Sequence, residues 1–170
     1  DADGDPAEIS VEVVSALLSL LGYPDATVAR SESLLPAELD EDGEDALVLA
    51  VEGERTEALL ANDAEALNAL QFLARLVVNR RIGRWISLVI DVGGDRQRRI
   101  RELMSLAHQS ADLVESGGRP VSLPPMSAYE RRVVHLVLKE RPAVATQSIG
   151  AGDRRKVTVR RVDQLLPDLD

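Results

Sequence analysis

The 170-residue sequence has no cysteine and very few aromatic residues: one Trp, one Phe and two Tyr. The lack of cysteine excludes a disulfide scaffold, a thiolate metal site and a Cys nucleophile, and fits a reducing compartment. With so few rings, the core must be built from Leu, Val, Ile and Ala. No apolar run approaches the roughly 20 residues that span a bilayer, so no membrane insertion is expected. No basic-then-apolar leader opens the chain, which points to a cytoplasmic protein. The sequence begins at Asp1 rather than Met, so its first residue does not define a native start. His108 and His135 are the only histidines and fall in different segments, so no metal site is expected. Phosphate-loop and nucleophile-elbow motifs are absent. Asp91 and Asp95 have no nucleophile or metal set beside them. The chain therefore reads as a binding protein without a cofactor, not as an enzyme.

What is present is charge, unevenly placed. The formal net charge is −9. Residues 1–80 hold 18 acids and 4 bases, whereas residues 81–170 hold 11 acids and 16 bases. From Arg119 to Asp163 there are 10 bases against 4 acids. A polyanion would meet the back half; the plainer alternative is charge placed for solubility. Of the 20 bases, 18 are Arg, the residue suited to bidentate phosphate contact.

Apolar periodicity predicts a helix over Ser10–Leu21, with Ile9, Val13, Leu17 and Leu20 on one face. Short strands follow at Ala26–Arg30 and Ala46–Val51, separated by an acidic loop, Asp40–Asp45. A short helix at Glu54–Leu60 leads to a longer one over Ala64–Arg80, which carries Leu67, Leu70, Ala74, Val77 and Val78. Ile86–Val92 alternates as a strand. A long helix spans Asp95–Ser116, with Ile100, Leu103, Met104, Ala107, Ala111 and Val114 as its apolar stripe, and Gly117–Gly118 end it. Pro120–Leu123 is a short strand. Ser127 and Glu130 form a capping box that starts a helix reaching Lys139. Val144–Ser148 and Arg155–Val162 are strands joined by a turn at Gly150–Asp153. The fold class is α+β. Trp85, at a strand entrance, is expected in the core. Tyr129 is expected to pack beneath the neighbouring arginines, and Arg80, Arg81 and Arg84 to complement a helix C-terminus.

The stretch MSAYERRVVHLVLKE places Arg131, His135 and Lys139 four residues apart, on one helical face. Such bases form either a solvated face or an anion site. The Gly150–Gly152 turn could offer free amides, and Arg154, Arg155 and Lys156 follow it directly.

With ALNALQFLARLVVNR (66–80), VIDVGGDRQRR (89–99), GRPVSLPPMSAYERRVVHLVLKE (118–140) and TQSIGAGDRRKVTV (146–159), the chain resembles the bacterial Jag family, also called KhpB or EloR. The pattern S-x-Y-E-R-R-x-x-H followed by S-x-G-x-G-x-x-R carries the resemblance best. It implies a type II KH domain, with helices on one face of a small three-stranded sheet, at 1–118. A small Arg-xxx-His domain would follow at 119–170. The Jag-N domain of the family has no counterpart in the sequence. The resemblance implies single-stranded RNA, or single-stranded DNA, as the ligand, and a post-transcriptional regulatory role. The expected contacts are Arg131, His135, Lys139, Gly150, Gly152, Arg154, Arg155 and Lys156. Arg131 would pair a phosphate, and His135 would stack on a base or donate to a phosphate. KH domains clamp the RNA backbone with a glycine-bounded loop. Here that loop falls at Ala61, Asn62, Asp63 and Ala64, where both glycines are lost. The Asp63 carboxylate would repel a phosphate by about 1 kcal/mol at 4 Å in water. The alternative is a protein-interaction scaffold, in which the degenerate KH unit self-associates or docks a small single-KH protein.

Overall fold

The structure is a computed structural model and describes residues 4–32 and 46–164. The expected acidic loop, Asp40–Asp45, lies outside the described residues. The chain divides into two compact units, Asp1–Arg98 and Arg99–Asp170.

In the first unit, α1 (Pro6–Leu20) starts four residues before the predicted Ser10. Periodicity missed the start because the signal there is a cap: the Asp5 side chain accepts the Ala7 amide (2.9 Å) and Pro6 occupies the first turn. The buried face is Ser10, Val13, Val14 and Leu18, while Leu20 is 84% exposed. Strands β1 (Thr27–Arg30), β2 (Ala46–Glu52) and β3 (Ser87–Val92) form a sheet in the order β1-β2-β3. β1 and β2 are antiparallel, with Val28 opposite Val51; β2 and β3 are parallel, with Leu49 opposite Ile90. A 3₁₀ turn at Thr56–Leu60 leads into α2 (Ala61–Ile82). Val14 and Leu18 of α1 share one core with Leu70, Ala74 and Val78 of α2 and with Leu49, Val51, Leu88, Ile90 and Val92 of the sheet. Val77, expected on that face, is exposed.

The edge of β3 not paired to β2 is closed by a polar row on α2 at four-residue spacing. Gln71 Oε1 accepts from the Ile90 amide (2.9 Å), Arg75 Nε donates to the Leu88 carbonyl (2.8 Å) and Asn79 Oδ1 accepts from the Ile86 amide (2.8 Å). Unpaired strand edges invite further pairing, and these side chains satisfy the groups that would do it.

After β3, Gly93 and Gly94 both take positive φ (59° and 68°). They turn the chain into α3 (Asp95–Gly117). The buried Asp91 carboxylate caps this helix, accepting from the Arg96 (2.9 Å) and Gln97 (3.3 Å) amides. Burial raises its pKa above the ordinary carboxylate value, and the two amides oppose that shift.

α3 runs on into the second unit, where it buries Ile100, Leu103, Ala107, Ala111 and Val114. Ion pairs tie it there. Arg99 holds Glu130 (2.7 Å), and Arg141 holds Asp112 (2.8 Å) and Glu115 (3.0 Å). The division therefore falls in the first turn of α3, at 98/99, where the sequence placed it at 118/119. Next come β4 (Val121–Ser122), α4 (Ala128–Leu138), β5 (Val144–Ile149) and β6 (Lys156–Arg161), with strand order β4-β6-β5 and both pairings antiparallel. The capping box is present: Ser127 Oγ accepts the Glu130 amide (3.2 Å), and Glu130 Oε2 accepts the Ser127 amide (2.8 Å). Val133, Val134 and Leu138 of α4 and Val157 and Val159 of β6 are buried. Among the described residues no helix is long and apolar enough to cross a membrane.

Candidate nucleic-acid interface

α4 buries Val133, Val134 and Leu138. Its neighbouring stripe carries Arg131 and His135, one turn apart, toward β5. There Thr146 and Ser148 sit two residues apart, so their side chains share one face of the strand. Arg131 Nη1 donates to Ser148 Oγ (3.2 Å). His135 Nε2 lies 3.0 Å from Ser148 Oγ, and its Nδ1 lies 2.6 Å from Thr146 Oγ1. Arginine can only donate, so the Ser148 oxygen accepts from Arg131. Each ring nitrogen of His135 thus faces a β5 hydroxyl that can donate or accept, and either neutral tautomer satisfies both pairs.

His135 is half-buried. Burial first, and the Arg131 charge second, lower its pKa below the ordinary value. It is therefore a neutral ring at neutral pH, with both nitrogens engaged. What it can offer a ligand without losing a bond is its ring face. Arg131 is also half-buried, and its Nε has no hydrogen-bond partner among the described residues. A guanidinium that spends one nitrogen on Ser148 keeps donors for an anion.

A groove of about 420 Å³ opens beside it, lined by Met126, Ser127, Arg131, Gly152 and Asp153 among others. The turn at its rim needs its first glycine. Gly150 has φ 95°, and a Cβ there would meet the Arg154 carbonyl oxygen at 3.0 Å. Gly152 has φ 53° with open space around it. Arg154 and Arg155 are exposed beyond the turn, Lys156 is half-buried, and Lys139 is exposed at the C-terminal end of α4. No hydrogen bond among the described residues joins these four to the Arg131–His135 pair. Asp153 brings one carboxylate to the groove. The structure thus brings together Arg131, His135 and Gly152, and adds Thr146 and Ser148 as their partners. The hydroxyls were findable: two β-hydroxyl residues, i and i+2, on the strand that follows an Arg-xxx-His helix.

Four other expectations come out as follows. At the first-unit loop, Ala61 is extended (φ −67°, ψ 159°) and Asn62 and Ala64 take φ 51° and 59°. The backbone keeps a left-handed shape that glycine would adopt freely. Trp85 is not in the core: it is 71% exposed, in the short loop between α2 and β3. Arg80 and Arg81 close α2 as expected, and Arg81 also pairs with Glu12 of α1 (2.9 Å). Tyr129 is half-buried.

Comparison with known proteins bears on the same segment. Residues 101–161 match the Arg-xxx-His domain family, and Arg131 and His135 lie within that span. RNA-binding protein KhpB of Clostridium symbiosum is 35% identical over 109 residues, 64% of this chain and 49% of that protein. KhpB of Lactiplantibacillus plantarum is 31% identical over 156 residues, 91% of this chain and 48% of that protein. KhpB of Bacillus subtilis is 30% identical over 111 residues, 64% of this chain and 53% of that protein. The chain spans about half the length of these curated relatives. It carries an Arg-xxx-His domain and is homologous to the KhpB RNA-binding proteins of the Jag family.

Proposed function

We propose that this chain is a cytoplasmic single-stranded RNA-binding protein, a post-transcriptional regulator of the Jag/KhpB type that acts by binding and not by catalysis. One observation carries this: the Arg131–His135 pair of α4, set against Ser148 and Thr146 of β5, lies inside the matched Arg-xxx-His domain. Arg131 takes a phosphate at the groove beside it. His135 presents its ring face to a base, and Gly150, Gly152, Arg154, Arg155, Lys156 and Lys139 extend the contact along the backbone. Single-stranded DNA is the competing ligand, and a 2′-hydroxyl preference separates the two. The first unit is a type II KH domain with a spent clamp. Its order of helix, two strands, turn, helix and strand, with β2 parallel to β3, supports this.

The test is anisotropy of a labelled single-stranded RNA with Arg131→Gln plus His135→Gln. These variants keep polar partners for Thr146 and Ser148. Losing a charged phosphate contact should weaken binding about tenfold. Unchanged affinity would show that the site is elsewhere.

A second role rests on a separate observation. Phe72 (67% exposed), Leu73, Leu76 (58%) and Val77 form an apolar stripe along the outer face of α2. Glu65 lies toward one end of this helix, and Arg80 toward the other. Two copies packed antiparallel would cover both stripes and bring opposite charges together. Sedimentation should then show a dimer that Phe72→Asp with Leu76→Asp converts to monomer; a monomeric parent would exclude it.

A further inference from the structure

The first unit has a second concave surface, far in sequence from the loop at Ala61–Ala64. A groove of about 500 Å³ is bounded by Asp5 and Pro6 of the α1 entrance, Arg30 at the end of β1, Leu47 of β2, and Arg84 and Trp85. The Trp85 side chain is 71% exposed. An exposed indole forgoes the large apolar burial that Trp ordinarily gains. The backbone of the loop that carries it is held in place. Gly83, with φ 75°, donates its amide to the Asn79 carbonyl (3.0 Å), and the Ile86 amide donates to Asn79 Oδ1 (2.8 Å). Asn79 thus pins both ends of the loop that presents Arg84 and Trp85. Neither Arg30 nor Arg84 has an ion-pair or hydrogen-bond partner among the described residues, and both are exposed. The carboxylate at the rim, Asp5, is engaged as the cap of α1.

We propose that this groove is a binding site for single-stranded RNA, with one base stacked on Trp85 and the flanking phosphates paired to Arg30 and Arg84. A flat π-surface beside two guanidiniums that have no partner among the described residues is the combination by which proteins hold single strands without reading sequence. An acidic peptide would satisfy the arginines but leave the indole uncovered. The groove rests on the RNA-binding reading above and extends it to the unit whose loop has lost its glycines. Its affinity is modest. The Asp5 carboxylate lies at the rim and opposes a phosphate there.

Trp85 is the only tryptophan in the chain, so its emission reports this site alone. The full chain is titrated with an oligoadenylate of about 10 nucleotides, while anisotropy of the labelled strand follows total binding. Saturable quenching is expected. It should persist in the Arg131→Gln, His135→Gln variant, in which the other site is removed. Arg30→Glu with Arg84→Glu should abolish it. In that Arg131/His135 background, Trp85→Ala should weaken the remaining binding about fivefold or more, and Trp85→Phe should largely restore it. Binding by anisotropy without quenching overturns the groove and leaves the α4–β5 site standing. Loss of quenching in the Arg131/His135 variant, or equal quenching by polyglutamate, overturns it as well. Anisotropy that detects no binding by the parent chain overturns the RNA reading itself.

Discussion

His135 is a neutral, half-buried ring whose two nitrogens serve Thr146 and Ser148. Its pKa lies below the ordinary value, by burial first and the Arg131 charge second. In the window between the lowered folded value and the ordinary one, near 6.5, the unfolded chain binds a proton that the folded chain refuses. Stability from this residue is therefore complete above that window and is lost as the pH falls through it. His135→Gln should flatten this part of the acid loss. Urea midpoints of parent and variant between about pH 7.5 and about pH 5.5 check this, and parallel curves would contradict it. A bound phosphate works in the opposite direction, since its charge favours the protonated ring. A residue-scale expectation also attaches to Ala64. Its φ of 59° costs an L-residue with a Cβ about 1 kcal/mol or more. Ala64→Gly should therefore raise stability by about 1 kcal/mol, although glycine within a regular helix would lower it by a similar amount. A lower urea midpoint for this variant would show that Ala64 is not strained.

Elements whose signals are local were legible in the sequence. The capping box at Ser127 and Glu130 marked the start of α4 to the residue. The hydroxyl- and valine-rich runs marked β5 and β6, with glycines between them. What needed partners was not legible. The start of α1 depends on a cap at Asp5 rather than on apolar spacing. The assignment of α3 to the second unit depends on Arg99 meeting Glu130 and Arg141 meeting Asp112, contacts 31 and 29 residues apart. Trp85 looked like core because β3 follows it, yet the strand's inward set starts beyond it. The apolar spacing of α2 says nothing of its polar row, which closes the β3 edge. Gln71→Leu should leave the buried Ile90 amide without an acceptor, at a cost of about 1–3 kcal/mol. Hydrogen exchange at Ile90 should speed up accordingly; unchanged protection would mean that the edge is held by something else.

At the scale of the whole molecule, a protein of net charge −9 is expected to bind a polyanion through a local excess of bases. The tract from Arg119 to Asp163 supplies it, while the front half carries most of the acids. Affinity for a single strand should therefore fall with salt, by about 0.7 in log–log slope for each phosphate neutralised. Arg131, Lys139, Arg154, Arg155 and Lys156 allow up to about five such contacts at the α4–β5 site, so its slope should not exceed about 3.5 in magnitude. Arg131→Gln should reduce the slope by about 0.7, and His135→Gln should leave it unchanged at neutral pH, because that ring is uncharged there. The long-range field of the acidic half is screened beyond about 10 Å at 0.1 M salt. Its opposition should thus appear only at low ionic strength, as a slope that flattens there. Anisotropy titrations across a salt series measure all three. A slope near zero would mean that binding does not run through phosphates. A slope that His135→Gln reduces as much as Arg131→Gln does would mean that the ring is charged in the complex, its pKa raised by the very phosphate that Arg131 brings beside it.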